Sequence, residues 1–354
     1  MKKILVIIFT LTINFALSQN KIAAEKLVDE GVALHDKGNY DEAINKYNKA
    51  LELDKDNIFA LTEKAFTLNS LNKYDESIAI CKLAIEKYPK DNSLKNIYVT
   101  YGNALDELKK SDESIAIYNE GIKEFPEYYQ LYYNKGITTA RTGKFDDAIL
   151  SFQHALLINP KHAGSINAIA KLENINGHKI PAILSYCRFL IIEPQSQRAK
   201  ENLNSLKELM SSNVKKTGEN SISVTIDPKL FSEKNKTDKP KENDFSTTEL
   251  ITTMDTAQDY DEKNINKTEV EKFARKFETI CSSLSEMKKK NYGFYWDIIV
   301  PYFLEMKKNN LIEPFSYVVF ASSETKEVNE WLNKNQKQIN AFYEWTKNYK
   351  WKNN

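Results

Sequence analysis

The chain has 354 residues, enough for more than one domain, with 50 Lys and Arg against 49 Asp and Glu and a formal net charge of +1. That balance argues against a nucleic-acid-binding or polybasic membrane-surface protein. Scarce glycine (10 residues) and only three scattered cysteines, Cys81, Cys187 and Cys281, exclude a disulfide framework, and abundant helix formers favour an all-α class.

Residues 1–18 read as a secretory signal peptide. Lys2 and Lys3 form the basic start, and the apolar run that follows is interrupted by Thr10, Thr12 and Asn14. It is too short for a membrane span. Ala16 and Ser18 are the small residues of a cut before Gln19, and no cysteine follows for lipid attachment. The expectation is an exported chain with no span after signal removal and about 336 residues left.

From residue 24 a 34-residue unit recurs. Its clearest copy is 129–162. There Tyr132, Gly136 and Thr139 share one helical stripe with Lys135, and Ala148, Phe152 and Ala155 share another. Pro160 stops the second helix. The small–large–small pattern repeats at 24–57 (Gly31, Ala43, Tyr47, Ala50), 58–91 (Ala65, Ser77, Cys81, Ala84, Pro89) and 95–128 (Tyr98, Gly102, Ser114, Tyr118, Gly121, Pro126). A three-residue insertion precedes the third copy. A fifth, 163–196, has Ile166, Ala170, Ala182, Tyr186 and Pro194, but Phe189 replaces its last small residue, which signals the end of the regular stack. Residues 197–210 read as an amphipathic capping helix, which a repeat array needs. Paired acids open four second helices: Asp41–Glu42, Asp75–Glu76, Asp112–Glu113 and Asp146–Asp147. Recurring at one helix N-terminal position, they read as helix-dipole chemistry.

This pattern resembles the tetratricopeptide repeat (TPR). The resemblance implies an all-α solenoid of about five helix-turn-helix repeats, 24–210 with its cap, whose first helices line a concave face. Carrying the family's groove positions over gives Phe59, Phe66 and Asn69, then Asn96 and Asn103, then Tyr133, Ile137 and Arg141, and finally Asn167, Lys171 and Asn174. Such a face suits an extended peptide, with amides for its backbone and aromatics for its side chains.

Residues 211–267 read as a polar, largely disordered linker with two ordered islands, a strand at 221–226 and a short helix at 247–257. Residues 268–354 read as a smaller, aromatic-rich helical domain. One helix carries Val270, Phe273, Phe277, Ile280, Leu284 and Met287. Pro301 kinks or restarts the next, 315–321 is a helix or a buried strand, and 328–349 is a final helix. Aromatics at helical spacing read as core before they read as a binding platform.

Export signal, repeats, linker and aromatic tail together look like exported TPR proteins of Bacteroidetes-type bacteria. That implies a periplasmic or secreted protein of a Gram-negative envelope. No nucleotide-loop, hydrolase-elbow or zinc-protease motif is present, and His35, His154, His162 and His178 have no ligand spacing. The expectation is a non-enzymatic scaffold for a protein or peptide partner, without catalytic residues, metal or cofactor. A glycan-binding module is the first alternative, and an enzyme with its site in the C-terminal domain the second.

Overall fold

The computed structural model describes residues 2–218, 221–228 and 241–352. Seventeen α-helices account for most of the described residues, and four short strands form two small pairs. The chain divides into two compact units, Met1–Ile158 and Asn159–Asn354.

The first unit is four consecutive helix pairs: α1 (Lys2–His35) with α2 (Tyr40–Leu53), α3 (Ile58–Ser70) with α4 (Tyr74–Lys87), α5 (Leu94–Glu107) with α6 (Ser111–Glu124), and α7 (Tyr129–Arg141) with α8 (Phe145–Ile158). Each pair turns on one left-handed residue: Gly38 (φ 81°), Asn72 (60°), Lys109 (63°) and Gly143 (79°). That conformation closes a Schellman-type cap. The N–H of the following residue reaches back five positions, from Asn39 to Leu34 O, Lys73 to Leu68 O and Lys110 to Leu105 O, each at 2.9 Å.

In three of the four pairs a glycine of the first helix receives a ring of the second, and in the α3–α4 pair Cys81 stands in the ring's place. A Cβ added at Gly31, Gly102 or Gly136 would stand 2.4, 2.3 or 2.6 Å from Tyr47, Tyr118 or Phe152. Each of those rings is wholly buried or nearly so, worth about 1.5–3 kcal/mol of apolar transfer. In the second and third pairs, Ser77 and Ser114 donate 2.8 Å hydrogen bonds to the carbonyls of Ala65 and Gly102. The first helices then pack side by side, α1 on α3, α3 on α5 and α5 on α7.

The second unit begins with α9 (Ala163–Ile175), α10 (Lys179–Ile192) and α11 (Gln197–Ser211). It continues through β1 (Val214–Lys216), β2 (Ile222–Val224) and β3 (Lys241–Glu242) to α12 (Ser246–Ala257) and α13 (Glu269–Met287). Strand β4 (Asn291–Tyr292) follows, then α14 (Val300–Lys308), α15 (Ile312–Val319), α16 (Lys326–Lys334) and α17 (Gln336–Asn348). β1 pairs antiparallel with β2, Val214 opposite Val224, and β3 pairs parallel with β4.

Helix α10 is the hub. Every residue from Lys179 to Ile191 is buried, because α9, α11, α12 and α15 all pack on it. A helix this rich in apolar residues around its circumference must be covered on all sides, and the polar Lys179, Ser185 and Arg188 are buried with the rest. The compact units therefore part between Ile158 and Asn159, and not at residue 210, where the sequence pattern of the repeats ends. Phe189 sits within this core, wholly buried.

The stretch 211–267 differs from a disordered linker where it is described. The short helix expected at 247–257 is present as α12, and it is buried despite its polar composition. Along α12, Thr248, Thr252 and Thr256 are buried, and their hydroxyls are satisfied. Thr252 and Thr256 donate to carbonyls four residues back at 2.6 and 2.8 Å, and Thr248 hydrogen bonds Ser283 at 2.9 Å. Part of the stretch expected to be a linker, residues 229–240, lies outside the described residues. Further on, a π-helical turn, Tyr295–Ile299, precedes Pro301, which occupies the first turn of α14. The segment around 315–321 is helical, and the final helix is two helices broken at Asn335.

Most tail aromatics are core. Tyr295, Trp296, Tyr302, Phe303 and Phe315 are buried. Arg188 of α10 is buried with them, its guanidinium 4.5 and 4.6 Å from the ring centres of Tyr302 and Trp351.

Candidate functional site

The first-helix face of the first unit holds eight of the eleven groove candidates. It is tied together by one polar link per junction. His35 Nδ1 lies 2.8 Å from Thr67 Oγ1, joining α1 to α3. Asn69 Nδ2 donates to Thr100 O at 2.8 Å, joining α3 to α5. Arg141 pairs with Asp106, and with Glu107 at 3.5 Å, joining α7 to α5. Tyr118 donates to Asn103 Oδ1 at 2.7 Å, and Tyr128 donates to Asn96 Oδ1. The amides expected to meet a ligand are therefore already engaged within the protein, as is the arginine.

What the face leaves open is apolar and acidic. Phe59 and Phe66, two turns apart on α3, are 47% and 46% exposed. Phe66 stacks on His35 with ring centres 4.9 Å apart. Tyr133 tilts against Phe152 at 5.8 Å, and Ile137 is half-buried. Between the phenylalanines, half-buried Glu63 has its pKa raised by burial and by the neighbouring Asp36 charge. Buried Tyr47 lies below. Burial pushes its phenol up to about 12, against the opposing effect of a hydrogen bond with Thr67 and with smaller contributions from the Glu63 and Asp36 charges.

Asn167, Lys171 and Asn174 lie on α9 in the second unit. Asn167 Oδ1 accepts from Asn202 Nδ2 at 2.7 Å, Lys171 stands 3.8 Å from Glu201, and Asn174 lies beside Tyr186. The paired acids of α2, α4, α6 and α8 are exposed in first turns. Among the described residues no three His, Cys, Asp or Glu side chains gather as metal ligands. The three cysteines are buried thiols.

Sequence reasoning missed a second concavity of about 580 Å³ between α6, α7 and α8. Ile115, Ile122 and the exposed Leu150 line it, with Tyr132 stacked on His154 at 5.5 Å. Its signal was Leu150, an apolar residue off the buried stripe of α8. Among the described residues no helix is long and apolar enough to cross a membrane.

Residues 31–68 match a family model described as TPR repeat, and residues 101–164 one described as Tetratricopeptide repeat. The Protein STIP1 homolog of Dictyostelium discoideum is 30% identical over 168 residues, which span 39% of this chain and 30% of that protein. The Hsp70-Hsp90 organizing protein of Triticum aestivum is 42% identical over 65 residues, 18% of this chain and 11% of that one. This chain thus spans less than a third of either relative. Among solved structures, a thermophilic TPR protein of Thermus thermophilus is 20% identical, with a TM-score of 0.45, covering 52% of this chain and 99% of its own. Two stretches of the chain, 31–68 and 101–164, carry tetratricopeptide repeats, set in an all-α fold of consecutive helix pairs.

Proposed function

We propose that this chain is a non-enzymatic scaffold that binds a protein or peptide segment along the first-helix face of its repeats. One observation carries the reading. Phe59 and Phe66 stand nearly half exposed on a face whose polar side chains are spent holding neighbouring helices in register. A rigid face with unspent apolar area binds at low ordering cost. The matches to the STIP1 homologue and the Hsp70-Hsp90 organizing protein support the same class of role.

A photo-crosslinking amino acid at Phe66 in the full-length chain, produced in its own cells, tests this. The same label at Glu120, exposed on α6, serves as the control. The expected result is a discrete protein adduct from position 66 alone. Equal labelling from both positions, or none from 66, rejects the face.

The proposal includes export, with the chain acting in a Gram-negative envelope. The support is the basic start, the apolar run and the Ala16–Ser18 cut. Protein purified from the envelope should begin at Gln19, and an intact Met1 would overturn the assignment.

A further inference from the structure

Helix α16 keeps its charges on one side. Lys326, Glu327, Glu330 and Lys334 surround the stacked rings of Tyr317 and Trp331, whose centres lie 4.0 Å apart. The other side of the same helix, with α15, α17 and the turn before α11, lines a cavity of about 320 Å³. None of its ten lining side chains is charged. The floor is apolar, with Val318, Ala321 and Ile339 buried. The mouth carries four exposed amides, Gln195, Asn329, Asn333 and Gln336, and Tyr343 stands half-buried between floor and mouth. Asn329 Nδ2 donates to Glu324 O at 3.2 Å, and Gln336 Nε2 donates to Leu332 O at 2.8 Å. Each of these two amides is thus fixed by its nitrogen, which leaves its oxygen as an acceptor.

We propose that this cavity binds one uncharged pyranose ring. Its volume stands at the small end of ligand pockets, roughly 300–1,000 Å³, which suits a single ring. A charged ligand would lose its water and meet no opposite charge in the lining. An apolar peptide side chain would use the floor but leave the four amides at the mouth without a partner. A pyranose satisfies both parts. Its C–H face lies on the apolar floor and the Tyr343 ring, and its hydroxyls, each donor and acceptor, meet the amides. The site belongs to the second unit, and it holds whether or not the first-helix face binds a peptide.

Saturation-transfer NMR on the full-length chain tests this. The probes are the methyl glycosides of glucose, galactose, mannose and N-acetylglucosamine, with glucuronate, glucosamine and N-acetyl-leucine amide measured separately. At least one neutral glycoside should receive saturation, most strongly on the C–H protons of one ring face, and the two charged sugars should receive little. The double variant Gln195→Ala with Asn333→Ala should weaken that glycoside by roughly ten-fold, the loss of about two hydrogen bonds. Gln336→Ala alone should act in the same direction, and Gln338→Ala, exposed on α17, should leave binding unchanged. All four positions are exposed, and circular dichroism verifies the fold of each variant. Saturation of no neutral glycoside, or binding that survives both the double variant and Gln336→Ala, overturns the site. Equal binding of the charged sugars overturns the selection by neutrality. Binding of N-acetyl-leucine amide in place of every glycoside overturns the sugar and makes the cavity a pocket for a peptide side chain.

Discussion

Lys109 holds a φ of 63°, the conformation that Gly38 and Gly143 supply at equivalent turns of the first unit. A side chain there costs about 1–2 kcal/mol, part of which glycine gives back as unfolded-state entropy. Lys109→Gly should therefore raise stability by up to about 1 kcal/mol in chemical denaturation, and Gly143→Ala should lower it by about the same. Glu63 gives a second test at this scale. Its folded pKa is raised, so the folded state disfavours the carboxylate. The penalty is absent where Glu63 is protonated in both states. It grows as pH rises past the ordinary value of 4.5 and through the raised folded one. Glu63→Gln should thus raise Tm at pH 7.5 and lose most of that gain near pH 4. A gain independent of pH would show that the charge is not its source.

At the scale of elements, pairing follows from size complementarity. Gly102→Ala would place a Cβ within 2.3 Å of the Tyr118 ring, which a filled layer cannot yield without strain. The expected loss is about 1–3 kcal/mol, and Phe152→Ala should cost about 3–5 kcal/mol, both read from denaturant midpoints. These pairs were legible in the sequence because Gly31, Gly102 and Gly136 stand at a fixed distance before an aromatic. Helix α12 was legible at 247–257, but its burial was not. Thr248, Thr252 and Thr256 suit a loop by composition, and they are buried only because each hydroxyl finds a backbone or side-chain partner. The candidate site was half legible. Phe59 and Phe66 are placed on the first-helix face by the resemblance to the tetratricopeptide repeat, whereas the engagement of Asn69, Asn96, Asn103 and Arg141 depends on partners on other helices, up to about a repeat away. No single-helix pattern encodes those partners.

At the scale of the whole molecule, the two units differ in how they are closed. The first is closed by neighbours in sequence, pair upon pair. The second is closed around α10 by helices far along the chain, and hydrogen bonds such as Ser185 Oγ to Tyr295 Oη at 2.9 Å fix the arrangement. A chain cut after Ser211 keeps α9 and α11 on α10 but removes α12 and α15. It should self-associate more strongly than the full-length chain in sedimentation velocity. A monodisperse, cooperatively melting fragment would contradict the role given to α10.

The hub also sets a clock. Helix α10 is complete at Ile192, but α15 ends only at Val319. At typical synthesis rates that gap lasts on the order of ten seconds. Through that interval the emerging chain carries a helix meant for burial on every side with its cover incomplete: α12 is finished only at Ala257 and α15 only at Val319. The first unit meets no such wait, because each pair finds its partner as soon as it appears. A nascent chain stalled at about residue 250 should therefore hold the first unit protease-resistant while α10 is still cut or chaperone-bound, and resistance should reach α10 only once α15 is out.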